Sequence, residues 1–288
     1  MKNSEVISKV KNYELGIVDG KKIDDTTTRD QIVYQYGDDL EKECQGIILC
    51  VYPSIDVIRK AIDLKANLII THESLFWNHG DKTDWLKDNR TFQLKEELLR
   101  KHHIVVWRNH DYLHSGIPLA EAPERYTDGI FYGFAKNMNW TKYVVGDKKK
   151  YDHFHIPQTT AKNLAQYLIR KMNLTGTRII GNPDALVSKV CIPFHVFGNA
   201  NEDIKNMDDD NVDCYLTMEL VDFTLTEYVK DSAQLGRDKA IITLGHFNFE
   251  EQGMKYMAEW LPDVVDQQIT VRFIQATDMY HFVERELL

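Results

Sequence analysis

Histidine and carboxylate residues gather in this chain where apolar runs stop. Residues 66–71 (ANLIIT) lead straight into His72-Glu73, and residues 104–109 (IVVWRN) lead into His110, Asp111 and, four residues after His110, His114. Residues 239–244 (KAIITL) lead into Gly245-His246, with Glu250 four residues further on, and residues 213–218 (DCYLTM) stop at Glu219. Imidazole and carboxylate together form a donor set suited to zinc, iron or manganese, and ligand type alone does not choose among these. A metal needs several such groups converging on one point. One histidine at a strand end is ordinary; four apolar runs that end alike suggest convergence. Seven other histidines, His79, His102, His103, His153, His155, His195 and His281, read as structural or solvated. His195 is the least secure of these, because it too follows an apolar run. On the residues alone two readings stand: one metal centre, or separate histidines each satisfied locally.

Periodicity supplies the scaffold for these groups. Continuous apolar runs read as buried strands at 46–52, 66–71, 104–109, 177–180, 187–194, 213–218, 239–244 and 268–274. Helical patterns lie between them at 4–13, 55–64 (with Ser54 as its cap), 91–102, 117–139, 158–172, 223–235 and 249–261, and residues 199–211 read as a polar helix or loop. Residues 77–90 read as a polar loop. Strand–helix–strand alternation with unbroken apolar strands implies an α/β fold of two similar units, mostly parallel sheets covered by helices. The polar stretch 146–151 is the expected boundary, giving units of 1–145 and 146–288 with the metal site between them. In open sheets of this kind ligands collect beyond the carboxyl ends of the strands, where the His and Glu residues fall.

Composition narrows the functional classes. Of 288 residues 43% are apolar and 27% charged, ordinary for a globular chain, and the net charge is −9. The one basic run, Lys148-Lys149-Lys150, sits beside a Gly-Asp turn and reads as a solvated loop, so no nucleic-acid partner is expected. No apolar stretch approaches the roughly 18 residues that cross a bilayer. The opening MKNSEVISKVKNYEL carries neither a secretory nor a transit pattern, so a cytoplasmic protein without a membrane partner is expected. Cys44, Cys50, Cys191 and Cys214 form no CxxC pair and read as reduced, three of them in strand-like runs. Neither a P-loop nor a GxGxxG run occurs.

The runs ANLIITH (66–72), YLTME (215–219), GHFNFE (245–250) and NLTGTRIIGNPD (173–184) resemble those of the NIF-three-like dinuclear-metal family, the NGG-interacting-factor-three proteins. Some of its members are called type-two GTP cyclohydrolases. The resemblance covers the chain from about residue 40 to the end. It implies five metal ligands: two adjacent histidines, an aspartate in the loop after the third strand, and the His and Glu of the last motif. Here Glu73 replaces the second histidine and His114 replaces the aspartate. The set becomes His72, Glu73, His114, His246 and Glu250, still three imidazoles and two carboxylates, so the charge offset against two divalent ions is unchanged. Asp111 is a reserve ligand. His110 and Glu219 are the candidates for orienting, substrate-side or proton-transfer roles. The resemblance further implies a ring-shaped homo-hexamer, with no room near 140–160 for an inserted domain. The function expected is a metal-dependent hydrolase of a phosphate-containing or nucleotide-like small molecule. The alternative is a non-catalytic metal-binding or regulatory, protein-interacting member of the family.

Overall fold

The computed structural model of the chain describes residues 1–193, 195–209, 212–276 and 278–283. The last residue of the strand expected at 187–194 and the last two of the segment expected at 199–211 lie outside the described residues. The chain divides into two compact units. One comprises Met1–Gly133 with Glu250–Ala276, the other Phe134–Phe249 with Thr277–Leu288.

In the first unit, the quartets IILC, LIIT and VVWR show no polar alternation and therefore need cover on both faces. Every residue in them is buried. Ile47–Cys50, Leu68–Thr71 and Val105–Arg108 pair in parallel, with Thr71 level with both Cys50 and Arg108. Val271–Phe273 adds in parallel beside Ile47–Cys50, and Ile32–Tyr34 closes the other edge antiparallel to Val105–Arg108. Helices make the crossovers. Ile55–Asp63 starts where Ser54 accepts the Val57 amide at 3.2 Å, and Arg90–Lys101 where Asn89 accepts the Phe92 amide at 3.0 Å.

The second unit repeats the plan with two antiparallel edges. Leu186–Cys191, Cys214–Thr217 and Ala240–Thr243 run parallel, flanked by His153–Thr160 and Arg178–Gly181. The helix Ala161–Met172 is capped by Thr160, which accepts the Asn163 amide at 3.1 Å. The fold is thus mixed α/β with helix-flanked sheets, as the apolar runs imply. Among the described residues no helix is long and apolar enough to cross a membrane.

One expected helix is largely absent. Residues 117–139 open as an antiparallel hairpin, Ile117–Leu119 with Ala122–Thr127, and only Gly129–Asn137 is helical. Pro118 and Pro123 withhold the amides a helix interior needs. Gly116 at φ +135° also turns the chain out of the preceding helix. At the other end the helix is longer than expected, spanning His246–Val264 rather than 249–261.

Candidate metal centre

In the first unit, the carboxyl ends of adjacent parallel strands fix His72 and Glu73. Their amides continue the ladder, donating to the carbonyls of Cys50 (3.2 Å) and Val51 (2.7 Å). His110 stands just before the short helix Asp111–Ser115, which carries His114 on its last turn. Glu250 lies in the helix His246–Val264, and that helix packs unusually close through Gly253. A Cβ on Gly253 would sit 2.6 Å from Cα of Ile130, and one on Gly133 would sit 2.6 Å from Cα of Gly253. Glycine at both places removes this obstacle to the approach of the backbone that carries Glu250.

Two groups of donor atoms result, each with all its atoms within 4.8 Å of one another: His72, His110 and His114, and His72, Glu73 and Glu250. The His72 and His110 rings stack at 4.5 Å, and the His114 ring stands edge-on to both at 5.0 and 4.9 Å. His72 Nε2 lies 3.6 Å from Glu250 Oε2, and His110 Nε2 lies 3.7 Å from Glu73 Oε1.

The tautomers decide what these rings can do. His72 Nδ1 is 3.1 Å from the Asn109 carbonyl, which can only accept, so Nδ1 carries the proton and Nε2 is the lone-pair nitrogen. His114 Nδ1 meets Asp128 Oδ2 at 2.8 Å, and His110 Nδ1 meets Asp111 Oδ1 at 2.9 Å. Each ring is anchored through Nδ1 and presents Nε2, the arrangement that orients metal-ligating histidines. Among the described residues, His72 Nε2 and His114 Nε2 are buried without a hydrogen-bond partner. A buried polar atom left so costs about 1–3 kcal/mol. A cation at these atoms relieves that cost, so the residues fit a divalent metal.

Electrostatics agree in part. Burial, with the neighbouring imidazoles of His110 and His114, pushes the His72 pKa down against the pull of Glu250, which favours the neutral ligand form. Burial opposes ionisation of Glu73, but the neighbouring His110 and His72 rings and the Arg108 guanidinium outweigh it and hold Glu73 at about 2. Burial also opposes charging of His114. Asp128 overrides it, assisted by Glu250 and Asp111, and raises His114 to about 9. A metal must therefore displace a proton from His114.

Several supporting residues escape sequence reasoning. Asp30, 3% exposed, accepts the amides of His110 (2.9 Å) and Asp111 (2.8 Å) and so holds the loop that carries both histidines. Asn109 donates to Asp30 (3.2 Å) and to Glu14 (3.0 Å). Burial, and then the charge of Asp30, push the Glu14 carboxyl well above its usual range. Arg108, 1% exposed, donates to the carbonyls of His72 (3.0 Å) and His79 (2.7 Å) and to Glu73 Oε2 (2.7 Å). Only Arg108 left a signal, as a charge at the end of an apolar strand. Asp111, the reserve ligand of the sequence, has both oxygens engaged. Oδ1 meets Arg29 Nη1 (2.8 Å) and His110, and Oδ2 meets Thr28 Oγ1 (2.9 Å) and the Arg29 amide (3.0 Å).

The first unit thus brings together His72, Glu73, His114 and Glu250, and adds His110 at the same range. His246 belongs to the second unit. There Gly245, at φ +91°, turns the chain from strand to helix, and His246 Nδ1 meets Glu219 Oε1 at 3.0 Å. Glu219 is placed to orient His246, the same device as Asp128 on His114. The His195 ring lies 6.0 Å from that of His246.

The profile of the Duf34/NIF3 (NGG1p interacting factor 3) family matches residues 25–116 and 128–279, a span that includes Asp30. Among solved structures, Staphylococcus aureus protein SA1388 is similar over 98% of this chain and 99% of its own, with TM-score 0.66 and 14% identity. A Bacillus cereus protein related to NIF3 gives 0.65 at 15% identity, covering 98% of this chain and 99% of its own. Reduced HcgD from Methanocaldococcus jannaschii gives 0.58 at 16%, covering 95% and 97%. At such identities the likeness is one of fold. No curated protein matches the sequence significantly.

Proposed function

The chain belongs to the DUF34/NIF3 family, and on that premise we propose that it is a divalent-metal-dependent hydrolase of small phosphate-containing or nucleotide-like molecules. The observation that carries the reading is the pair of buried Nε2 atoms, on His72 and His114, whose rings are locked through Nδ1 toward one another's neighbourhood. His72, Glu73, His114 and Glu250 are the proposed ligands in the first unit. His246, one helical turn before Glu250 in sequence and oriented by Glu219, is the proposed fifth. Two ions of zinc, iron or manganese would suit this donor set. When bound, such ions supply Lewis acidity toward phosphate oxygens and water.

The chain's own groups do the rest. Arg108 holds the Glu73 carboxylate and the His72 carbonyl at once, fixing two neighbouring donors with one guanidinium. His110, anchored by Asp111 and with Nε2 toward Glu73, is the proposed proton-transfer group. A homo-hexamer, implied by the resemblance, belongs to the same proposal and is read by light scattering. The test of the reaction class is a hydrolysis screen over phosphate monoesters, diesters and nucleotides with each metal. Turnover that falls to background in His110→Ala, with metal retained, supports it. No turnover by fully metal-loaded protein contradicts it.

One observation favours the second reading, a non-catalytic metal-binding or regulatory protein. Glu73 Oε2 is already neutralised by a buried Arg108 at 2.7 Å, which leaves this carboxylate less charge to offer a second ion. One metal equivalent per chain, with no turnover, is the outcome that reading predicts.

A further inference from the structure

A cavity of about 310 Å³ opens at the carboxyl end of the second unit's sheet. That is where open α/β sheets collect ligands, and the volume is at the small end of ligand pockets. Its floor includes Met218, Leu244 and Gly245, the residues that come after two adjacent parallel strands. One wall is the segment 278–283, which is fastened down. The Thr175 amide donates to Asp278 Oδ2 at 3.0 Å, and the Thr175 hydroxyl lies 2.8 Å from the same oxygen.

Two glycines let this segment bring aromatic rings over the cavity. A Cβ on Gly176 would meet the Phe282 ring at 2.8 Å, and a Cβ on Gly245 would meet the Tyr280 ring at 3.3 Å. Both rings nonetheless remain open to solvent, Tyr280 at 55% and Phe282 at 44% exposure. Arg178 also lines the cavity. Its guanidinium is loosely engaged: Nη1 is 3.6 Å from Asp222 Oδ2, with the two side chains 58% and 65% exposed, and Nε is 3.5 Å from Thr243 Oγ1. An exposed ion pair of that length contributes little, so an anion can exchange for Asp222.

We propose that this cavity binds a flat aromatic ring that carries an anionic group, with the ring against Tyr280 and Phe282 and the anion on Arg178. Two open aromatic rings and a thioether favour a π-system over an aliphatic chain, and a guanidinium matches carboxylate or phosphate oxygens in a plane. Gly245 precedes His246 directly. Use of the cavity to recognise the non-reacting end of the substrate rests on the metal-dependent reading; binding of the ring does not.

The experiment is calorimetric titration of chelator-stripped protein with adenosine 5′-monophosphate, indole-3-acetate, adenosine and ribose 5-phosphate. At least one ring-bearing anion is expected to bind, with adenosine and ribose 5-phosphate roughly tenfold or more weaker. Phe282→Ala and Arg178→Ala should each weaken binding roughly tenfold, while Phe282→Tyr retains it. Both sites are exposed, and circular dichroism confirms that the variants fold. Preference for the nucleotide assigns a phosphate source, and preference for the indole a carboxylate source. No binding of either ring-bearing anion at millimolar concentration overturns the proposal. So does ribose 5-phosphate binding as tightly as the nucleotide, or binding indifferent to both alanine substitutions. Ring binding in a protein that takes up no metal overturns the metal reading alone; metal uptake without ring binding overturns the cavity alone.

Discussion

The two sheets end differently. In the first unit the strand ends are dry: His72, Glu73, Arg108, Asn109 and His110 are all buried. They are cross-braced by one another, by Asp30 and by backbone carbonyls. In the second unit the corresponding end is wet. The Glu219 side chain is 48% exposed and that of His246 21%, and the cavity beside them carries exposed aromatics on one wall. The proposed metal site thus draws mainly on the enclosed end, and the proposed ring-binding cavity lies at the more open one. Desolvated donors bind a cation without competition from water, whereas an open aromatic ledge admits varied organic groups.

The contrast is most exposed to failure at Arg108. Arg108→Met leaves Glu73 buried beside an apolar side chain and strands the carbonyls of His72 and His79. The expected loss is about 3–5 kcal/mol of unfolding free energy, read by urea denaturation. A loss no larger than that of an exposed Arg178→Met control would mean that the first unit's strand ends are not a dry network.

Asp30→Ala comes next. It frees the amides of His110 and Asp111 and should weaken metal affinity about 10–100-fold, the usual scale for groups that orient ligands. Glu219→Gln on the wet side should cost less, about tenfold or under, because water can replace an exposed partner. Competition with a fluorescent chelator measures both, and equal losses would erase the distinction between the two ends.

Acidity separates the groups of the dry end further. His114, held near pKa 9 by Asp128 against burial, is protonated at neutral pH. Metal uptake must release that proton, so apparent affinity should rise about tenfold per pH unit up to about 9 and then level. In Asp128→Asn the slope should flatten at lower pH. Glu73 works in the opposite range. Its folded pKa of about 2 lies below the ordinary carboxyl value of 4.5, so its contribution to stability is complete above 4.5 and lost as pH falls through about 2. A parent-minus-Glu73→Gln stability difference that is full above pH 4.5 and shrinks as pH falls toward 2 would show that sign to be right. Gly253→Ala overpacks the helix against Ile130 and should cost about 1–3 kcal/mol, read by the same urea denaturation.

The strands that end in candidate ligands are legible because buried parallel strands are continuous apolar runs, and sequence marks both where they stop and which residues come next. The same logic placed Glu219 and His246. It failed at residues 117–127, where the prolines and an alternating APERYT were absorbed into a neighbouring helical pattern. It failed also at Asp30, Glu14 and Asp128. Each is a carboxylate in an irregular or capping stretch, and its role depends on which amide or imidazole the fold brings to it. Asp111 shows the limit most directly. Spacing allowed it as a ligand, but Arg29 and Thr28, some eighty residues away, occupy its oxygens.

The proposed hydrolase depends on metal held by the first unit's histidines. The direct measurement is elemental analysis of the protein as purified, by inductively coupled plasma mass spectrometry, beside His72→Ala and His246→Ala. About two equivalents per chain in the parent, with none in His72→Ala and a reduced content in His246→Ala, is the expected result. Undiminished metal in His72→Ala would refute the assignment, as would a parent that stays empty after reloading with zinc, manganese and iron.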